Sequence, residues 1–300
     1  MRNGSIVRLL LVTGMVVLMA GCYVEGGEWR ESRATLVLDS RGFGLHSAAI
    51  RNFADFDIAG AEYQELQRVQ LIIADILDAA EHQGGYGGFC SERAGTLVVR
   101  EQQGFGYERL IYEFMGCLAD TRDYGVIRLY GDYRITLRSG SGGSTTTITE
   151  QFDIYGTVVA SGAPLALVGS QELRASEGGY GSASGSLQVP ALEFVVDQHY
   201  VALRDMHYAL SDSGGIRKSS LRGDLVSSVL TGFVRYSTPT PLQFSNSGGC
   251  PAAGHLRLRA DGTLDARYGT TSARGYGLEL LLNGSAVRYQ SHCESLIFNG

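Results

Sequence analysis

The chain has 300 residues, of which 25 are basic and 31 acidic, for a net charge of −6. That length suffices for one large all-β domain or two smaller ones. The acidic balance gives no electrostatic reason to bind nucleic acid or an anionic membrane surface, and Lys218 is the only lysine.

The first 21 residues are a secretory signal. Arg2 and Arg8 precede and enter an apolar core, Leu9-Leu10-Leu11-Val12 and Val16-Val17-Leu18-Met19. The apolar run is too short to be a membrane span and ends in small residues. Leu18-Met19-Ala20-Gly21-Cys22 resembles the bacterial lipobox, with Met19 where the usual box has leucine. The resemblance implies cleavage before Cys22, diacylglycerol on its sulfur and acylation of the new amino group. Removing residues 1–21 leaves 279, with 23 basic residues against 31 acidic. Residues 22–33 read as a polar tether. Tyr23 stands where an inner-membrane retention signal would place Asp, so the outer membrane is the expected location, with the lipid bilayer as partner through the acyl groups on Cys22.

Residues 34–300 read as a single β-rich domain. Ala34–Leu38 is a candidate first strand. The one convincing helix is expected over about 59–83, where Leu66, Val69, Ile73, Ile76, Leu77 and Ala80 form an apolar stripe. Gly84-Gly85 is placed to end it. A helix of this kind in a β-rich chain packs on a sheet face; its acidic polar face argues against lying on a membrane.

From Thr96 onward the pattern is strands and turns. Thr96–Val99 and Tyr107–Phe114 make a hairpin signal. Strands are expected over 126–137, 145–159, 165–173, 184–196, 199–210, 221–236 and 242–244. Breaks are expected at 139–143, 177–179, 213–215 and Thr238-Pro239-Thr240-Pro241. At the end, Asp261-Gly262 and Asn283-Gly284 separate alternating runs, the strongest short hairpin signals. Four short strands follow from them, although one long bulged hairpin also fits. The fold expected is a large curved antiparallel meander sheet with one amphipathic helix packed on it, because an open sheet beyond about ten strands curls or splits.

Besides Cys22 there are Cys90, Cys117, Cys250 and Cys293. An even number in an exported chain suggests two disulfides. Sequential pairing is favoured. Cys90 and Cys117 are equidistant from a turn centred between Gln103 and Gly104, and Cys250 and Cys293 are symmetric about Thr271 and Ser272. In an open four-strand meander the outer strands stand about 14 Å apart, too far for the second bridge unless the ends curl together. No pair has the spacing of a zinc site.

Cys90 with Gly95-Thr96-Leu97 and Phe114-Met115-Gly116-Cys117, and Cys250 with Gly254-His255-Leu256, Leu282-Asn283-Gly284 and Cys293-Glu294-Ser295-Leu296, resemble a loose group of uncharacterised β-rich proteobacterial lipoproteins. The resemblance implies fold and location. It carries no activity and no site residue.

The candidates for chemistry are few. Asp197-Gln198-His199-Tyr200 and Asp205-Met206-His207-Tyr208 repeat Asp-x-His-Tyr, and Asp and His two apart on a strand share a face. Eight extended residues span about 26 Å, so the two pairs join on one metal only if a turn intervenes. Asp212-Ser213-Gly214-Gly215 is similar to the nucleophile turn of chymotrypsin-like proteases, but Ser211 stands where that family has glycine. No metalloprotease, P-loop, dinucleotide or EF-hand pattern occurs, so no cofactor is expected. The reading is a non-catalytic envelope lipoprotein with a structural or binding role. The alternatives are a carrier of a hydrophobic ligand held between sheet and helix and, behind that, a metal-dependent enzyme built on the Asp-His pairs.

Overall fold

The computed structural model describes residues 46–290, except 85–89, 91–93, 122–123, 141–144, 178–182, 214–215, 246–250 and 273–274. Cys22, Ala34–Leu38, Cys250 and Cys293 lie outside the described residues. One helix, α1 (Phe53–Gly84), precedes thirteen strands: β1 (Thr96–Gly104), β2 (Tyr107–Thr121), β3 (Gly125–Ser139), β4 (Thr145–Val158), β5 (Pro164–Glu177), β6 (Ala183–Val196), β7 (His199–Ser213), β8 (Ile216–Ser227), β9 (Gly232–Ser245), β10 (Pro251–Arg259), β11 (Thr263–Ser272), β12 (Gly275–Leu282) and β13 (Ala286–Gln290). They pair in sequence order from β1 to β13, each antiparallel to the next, as one open meander sheet. The C-terminal unit is therefore four meander strands and not one long hairpin.

The helix starts six residues before the apolar stripe suggested. Asn52 caps it: its Oδ1 accepts hydrogen bonds from the Ala54 and Asp55 amides at 2.7 and 3.3 Å, and Asp55 Oδ2 accepts from the Arg51 and Asn52 amides at 2.6 and 3.0 Å. This reciprocal box satisfies donors that a helix start otherwise leaves orphaned. Ala59, Tyr63, Leu66, Ile73, Ile76 and Leu77 are buried and join one core with the inner face of the sheet.

Two expectations about turns fail for stated reasons. Residues 221–236 are two strands, because Ser228-Val229-Leu230-Thr231 turns the chain. That turn contains neither Gly nor Pro. It is held by Ser227, whose Oγ accepts from the Val229 and Leu230 amides, and by Thr231 in a left-handed conformation at φ 55°. Conversely, Thr238-Pro239-Thr240-Pro241 does not break the sheet. It lies within β9 where the register shifts against both neighbours, so neither proline occupies a paired ladder position. Thr238 Oγ1 accepts the Leu221 amide at 2.9 Å in place of a backbone partner.

Irregularities of this kind recur across the middle of the sheet. Register shifts separate Met115 from Cys117, Ser170 from Glu172, Arg204 from His207 and Tyr268 from Thr270. Asp205 sits in one of them at φ 49°. Facing it, Gly223 has φ 146°, and a Cβ there would lie 2.5 Å from the Met206 Cα. Gly131, at φ 98°, comes so close that a Cβ would lie 2.0 Å from the Asp153 carbonyl oxygen. Bulges and glycine kinks are what curl a wide sheet.

The Cys90–Cys117 disulfide has a Cα–Cα distance of 5.3 Å. The β1–β2 hairpin turns at Phe105-Gly106, two residues beyond the axis on which the spacing argument placed it. The chain reaches Cys117 because Gly95, at φ 82°, leaves the ladder and the Leu118 amide bonds the Ala94 carbonyl at 3.0 Å.

Candidate functional site

The polar groups that bear on function lie where α1 crosses the inner face of the sheet. Glu62, nearly three turns past the helix cap, is buried at 8% exposure. Its Oε2 accepts the Ser227 hydroxyl at 2.5 Å and lies 3.0 Å from His199 Nε2. His199 opens β7 and Ser227 closes β8, so the carboxylate ties the helix to two adjacent strand ends. The hydrogen bond to Glu62 is the largest influence on His199 and raises its pKa above the ordinary 6.5, against desolvation. Next to them Tyr63 packs its ring 6.2 Å from that of Tyr236. The Tyr236 hydroxyl is buried with no hydrogen-bond partner among the described residues, and desolvation raises its pKa strongly.

Two further ties follow along the helix. The Tyr124 hydroxyl donates to Glu65, and the Tyr124 ring packs 5.7 Å from Phe194. Gln70 Nε2 donates to Gln171 Oε1 at 3.0 Å, and Gln171 Nε2 donates to Glu150 Oε2 at 2.6 Å. Tyr133 donates to the other oxygen of Glu150 and stacks between Tyr112 and Phe152, at 5.9 and 4.9 Å. Burial raises the Glu150 pKa despite these donors. It also raises that of Tyr133, with the neighbouring Glu150 charge adding to the effect.

Ser227, His199 and Glu62 are three residue types used in hydrolases, but their order of contact differs. The serine proton is directed at the carboxylate and not at the imidazole, and the remaining lone pairs of the hydroxyl are taken by the Val229 and Leu230 amides. A nucleophile needs its base on the hydroxyl.

The sequence-derived pairs are not brought together. Asp197 lies in the β6–β7 turn at φ 53°, while His199 turns to Glu62. Asp205 occupies the β7 bulge, and burial followed by the Arg222 charge lowers the His207 pKa. No turn separates the two pairs, since β7 runs unbroken through His199–Ser213. Among the described residues no group of three His, Cys, Asp or Glu could hold a metal. Asp212 pairs with Arg217 across the β7–β8 hairpin at 4.0 Å. Glu62 and Ser227 were missed by the sequence reading. Their signal, an acidic residue on the apolar side of the helix, was obscured because the stripe was drawn from Leu66 onward.

A cavity of about 610 Å³ opens at the same end of the sheet, lined by Tyr124, Val158, Pro164, Val196 and Asp197 among others. Val196 pairs directly with His199, so the cavity mouth adjoins the Glu62 cluster. The outer face carries a separate set of ion pairs. Asp224, 3% exposed, lies 3.2 Å from Arg204 and 2.8 Å from Arg235, and both guanidinium groups lie over the Phe233 ring. Comparisons with protein-family models, with curated proteins and with solved structures found no match.

Proposed function

We propose that the protein is a lipid-anchored cell-envelope protein whose β-body has a non-catalytic structural or binding role. The anchor rests on the lipobox-like Leu18–Cys22 stretch that follows a short apolar signal. The observation that carries the non-catalytic part is the mutual saturation of the helix–sheet polar groups: Glu62 is engaged by Ser227 and His199, and Glu150 by Tyr133 and Gln171. Side chains so engaged fix the helix on the sheet and present no poised nucleophile. The experiment is metabolic labelling with an alkyne-bearing palmitate, comparing the natural chain with Cys22→Ser. Label on the natural chain and its loss in the variant are expected; an unlabelled natural chain overturns the anchor.

A second reading, a carrier for an apolar ligand, is favoured by the cavity at the sheet mouth. Among the described residues, α1 and the inner face otherwise join in one apolar core.

A further inference from the structure

We propose that the mouth cavity is a binding site for a small amphiphilic cation, an apolar body with an amine or quaternary ammonium head, which rests on the binding-protein reading above. The walls supply the apolar part: Val158, Val196 and Pro164 on one side and the Tyr124 ring on the other. Each of these is partly covered or exposed, so a ligand reaches them from solvent. The site is a depression of about 610 Å³ that lies largely open to solvent, so it would cover one side of a ligand.

The sign of the head group follows from what the rim can offer. Five backbone donors around the cavity are already used. Val158 N bonds the Ala163 carbonyl, Gly162 N the Val158 carbonyl and Asp197 N the Pro164 carbonyl, at 2.8–2.9 Å. Ala163 N bonds the Ser161 hydroxyl oxygen at 3.2 Å, Tyr124 N bonds Thr121 Oγ1 at 3.2 Å, and Pro164 has no N–H. For an anion these groups leave the Ser161 hydroxyl as a neutral donor and no charged one. The Asp197 carboxylate, in contrast, has no hydrogen-bond or ion-pair partner among the described residues and lines the cavity. None of the described lining residues is Lys or Arg. Glu65 stands behind Tyr124, and Glu62 with its partner His199 behind Val196. The Tyr124 ring adds a face on which a cation is favoured.

The test is calorimetric titration of the full chain with three probes of one tail length, all below micelle formation: decyltrimethylammonium, decyl maltoside and decanoate. Saturable one-site binding is expected, tightest for the cation and weakest for the carboxylate. Asp197→Asn removes the charge and keeps the turn, because asparagine tolerates the left-handed φ of 53°. Since Asp197 is exposed, its loss is expected to weaken the cation by only about two- to fivefold. The maltoside is expected to be unaffected, as is cation binding in the Asp212→Asn control at the other end of β7. Equal affinity for the cation and the carboxylate overturns the proposal. So does an Asp197→Asn variant that binds like the parent, or an Asp212→Asn variant that loses as much. If no probe saturates, the cavity is not a ligand site, while palmitate labelling at Cys22 still reports independently on the anchor.

Discussion

Replacing Glu62 tests whether the helix is pinned to the sheet by one carboxylate. In Glu62→Ala the Ser227 hydroxyl, fully buried, loses its acceptor, and His199 loses its partner. An unsatisfied buried hydroxyl costs about 1–3 kcal/mol, and a charge-assisted bond contributes about 1.5–3 kcal/mol. The His199 side chain is 27% exposed, which places its share at the low end. The expected loss is about 3 kcal/mol for Ala. For Gln, whose amide oxygen still accepts from Ser227, it is about 1–2 kcal/mol. Urea unfolding of the purified protein measures both. The pH dependence supplies the sharper check. The folded pKa of His199 is raised, so the protonated imidazole contributes its full stabilisation below the ordinary value of 6.5 and loses it as pH rises through the folded pKa. His199→Gln is therefore expected to be less stable than the parent at acidic pH, with the gap closing toward alkaline pH. A gap that stays constant or widens on the alkaline side refutes the pairing.

Reduction of the Cys90–Cys117 bridge, which closes 27 residues, is expected to cost about 3.5 kcal/mol in the chain-entropy model; unfolding midpoints that coincide with and without reductant contradict this. Glu150→Gln is expected to stabilise the protein at neutral pH, because burial raises the Glu150 pKa and its ionised form is disfavoured in the fold. That advantage appears as pH rises above the ordinary 4.5 and vanishes below it, and thermal unfolding at acidic and neutral pH compares the two. Asp224→Ala leaves Arg204 and Arg235 facing each other over Phe233 and is expected to cost about 1–2 kcal/mol, a loss that Arg235→Ala in the same background does not increase. Additive losses in that double-mutant cycle would count against the pairing.

Period-two alternation placed most of the strands, and the glycine-containing turns at Asp261-Gly262 and Asn283-Gly284 placed the C-terminal meander. Both are local signals. What failed was whatever needs a partner far away in sequence. The turn at 228–231 is stabilised by the Ser227 side chain, so its residues carry no turn signature. Pro239 and Pro241 looked like breakers because the bulges that free their ladder positions are set by β8 and β10. The helix start was misplaced because Asn52 and Asp55 cap each other outside the apolar stripe. For the site, His199 was singled out, but beside the wrong carboxylate. Its actual partner lies 137 residues upstream on the helix, and no spacing rule spans that distance.

The three ties along α1 also decide how the helix sits. Ala59, Tyr63, Leu66, Ile73, Ile76 and Leu77 bury apolar surface, and that attraction is non-directional. The contacts of Glu62, Glu65 and Gln70 are not: Glu62 meets Ser227 on β8 and His199 on β7, Glu65 meets Tyr124 beside β3, and Gln70 meets Gln171 on β5. Shifting the helix by one turn would strand all three, each as a polar group facing apolar neighbours. Apolar packing thus supplies the affinity of helix for sheet, and the polar ties supply its register. The consequence for the cavity is direct, because Tyr124 forms both one of the ties and one of the walls. Breaking the Glu65 contact with Tyr124→Phe retains the aromatic wall and removes only the registering bond. Any change in cation affinity in that variant would then measure how far the helix position sets the shape of the mouth.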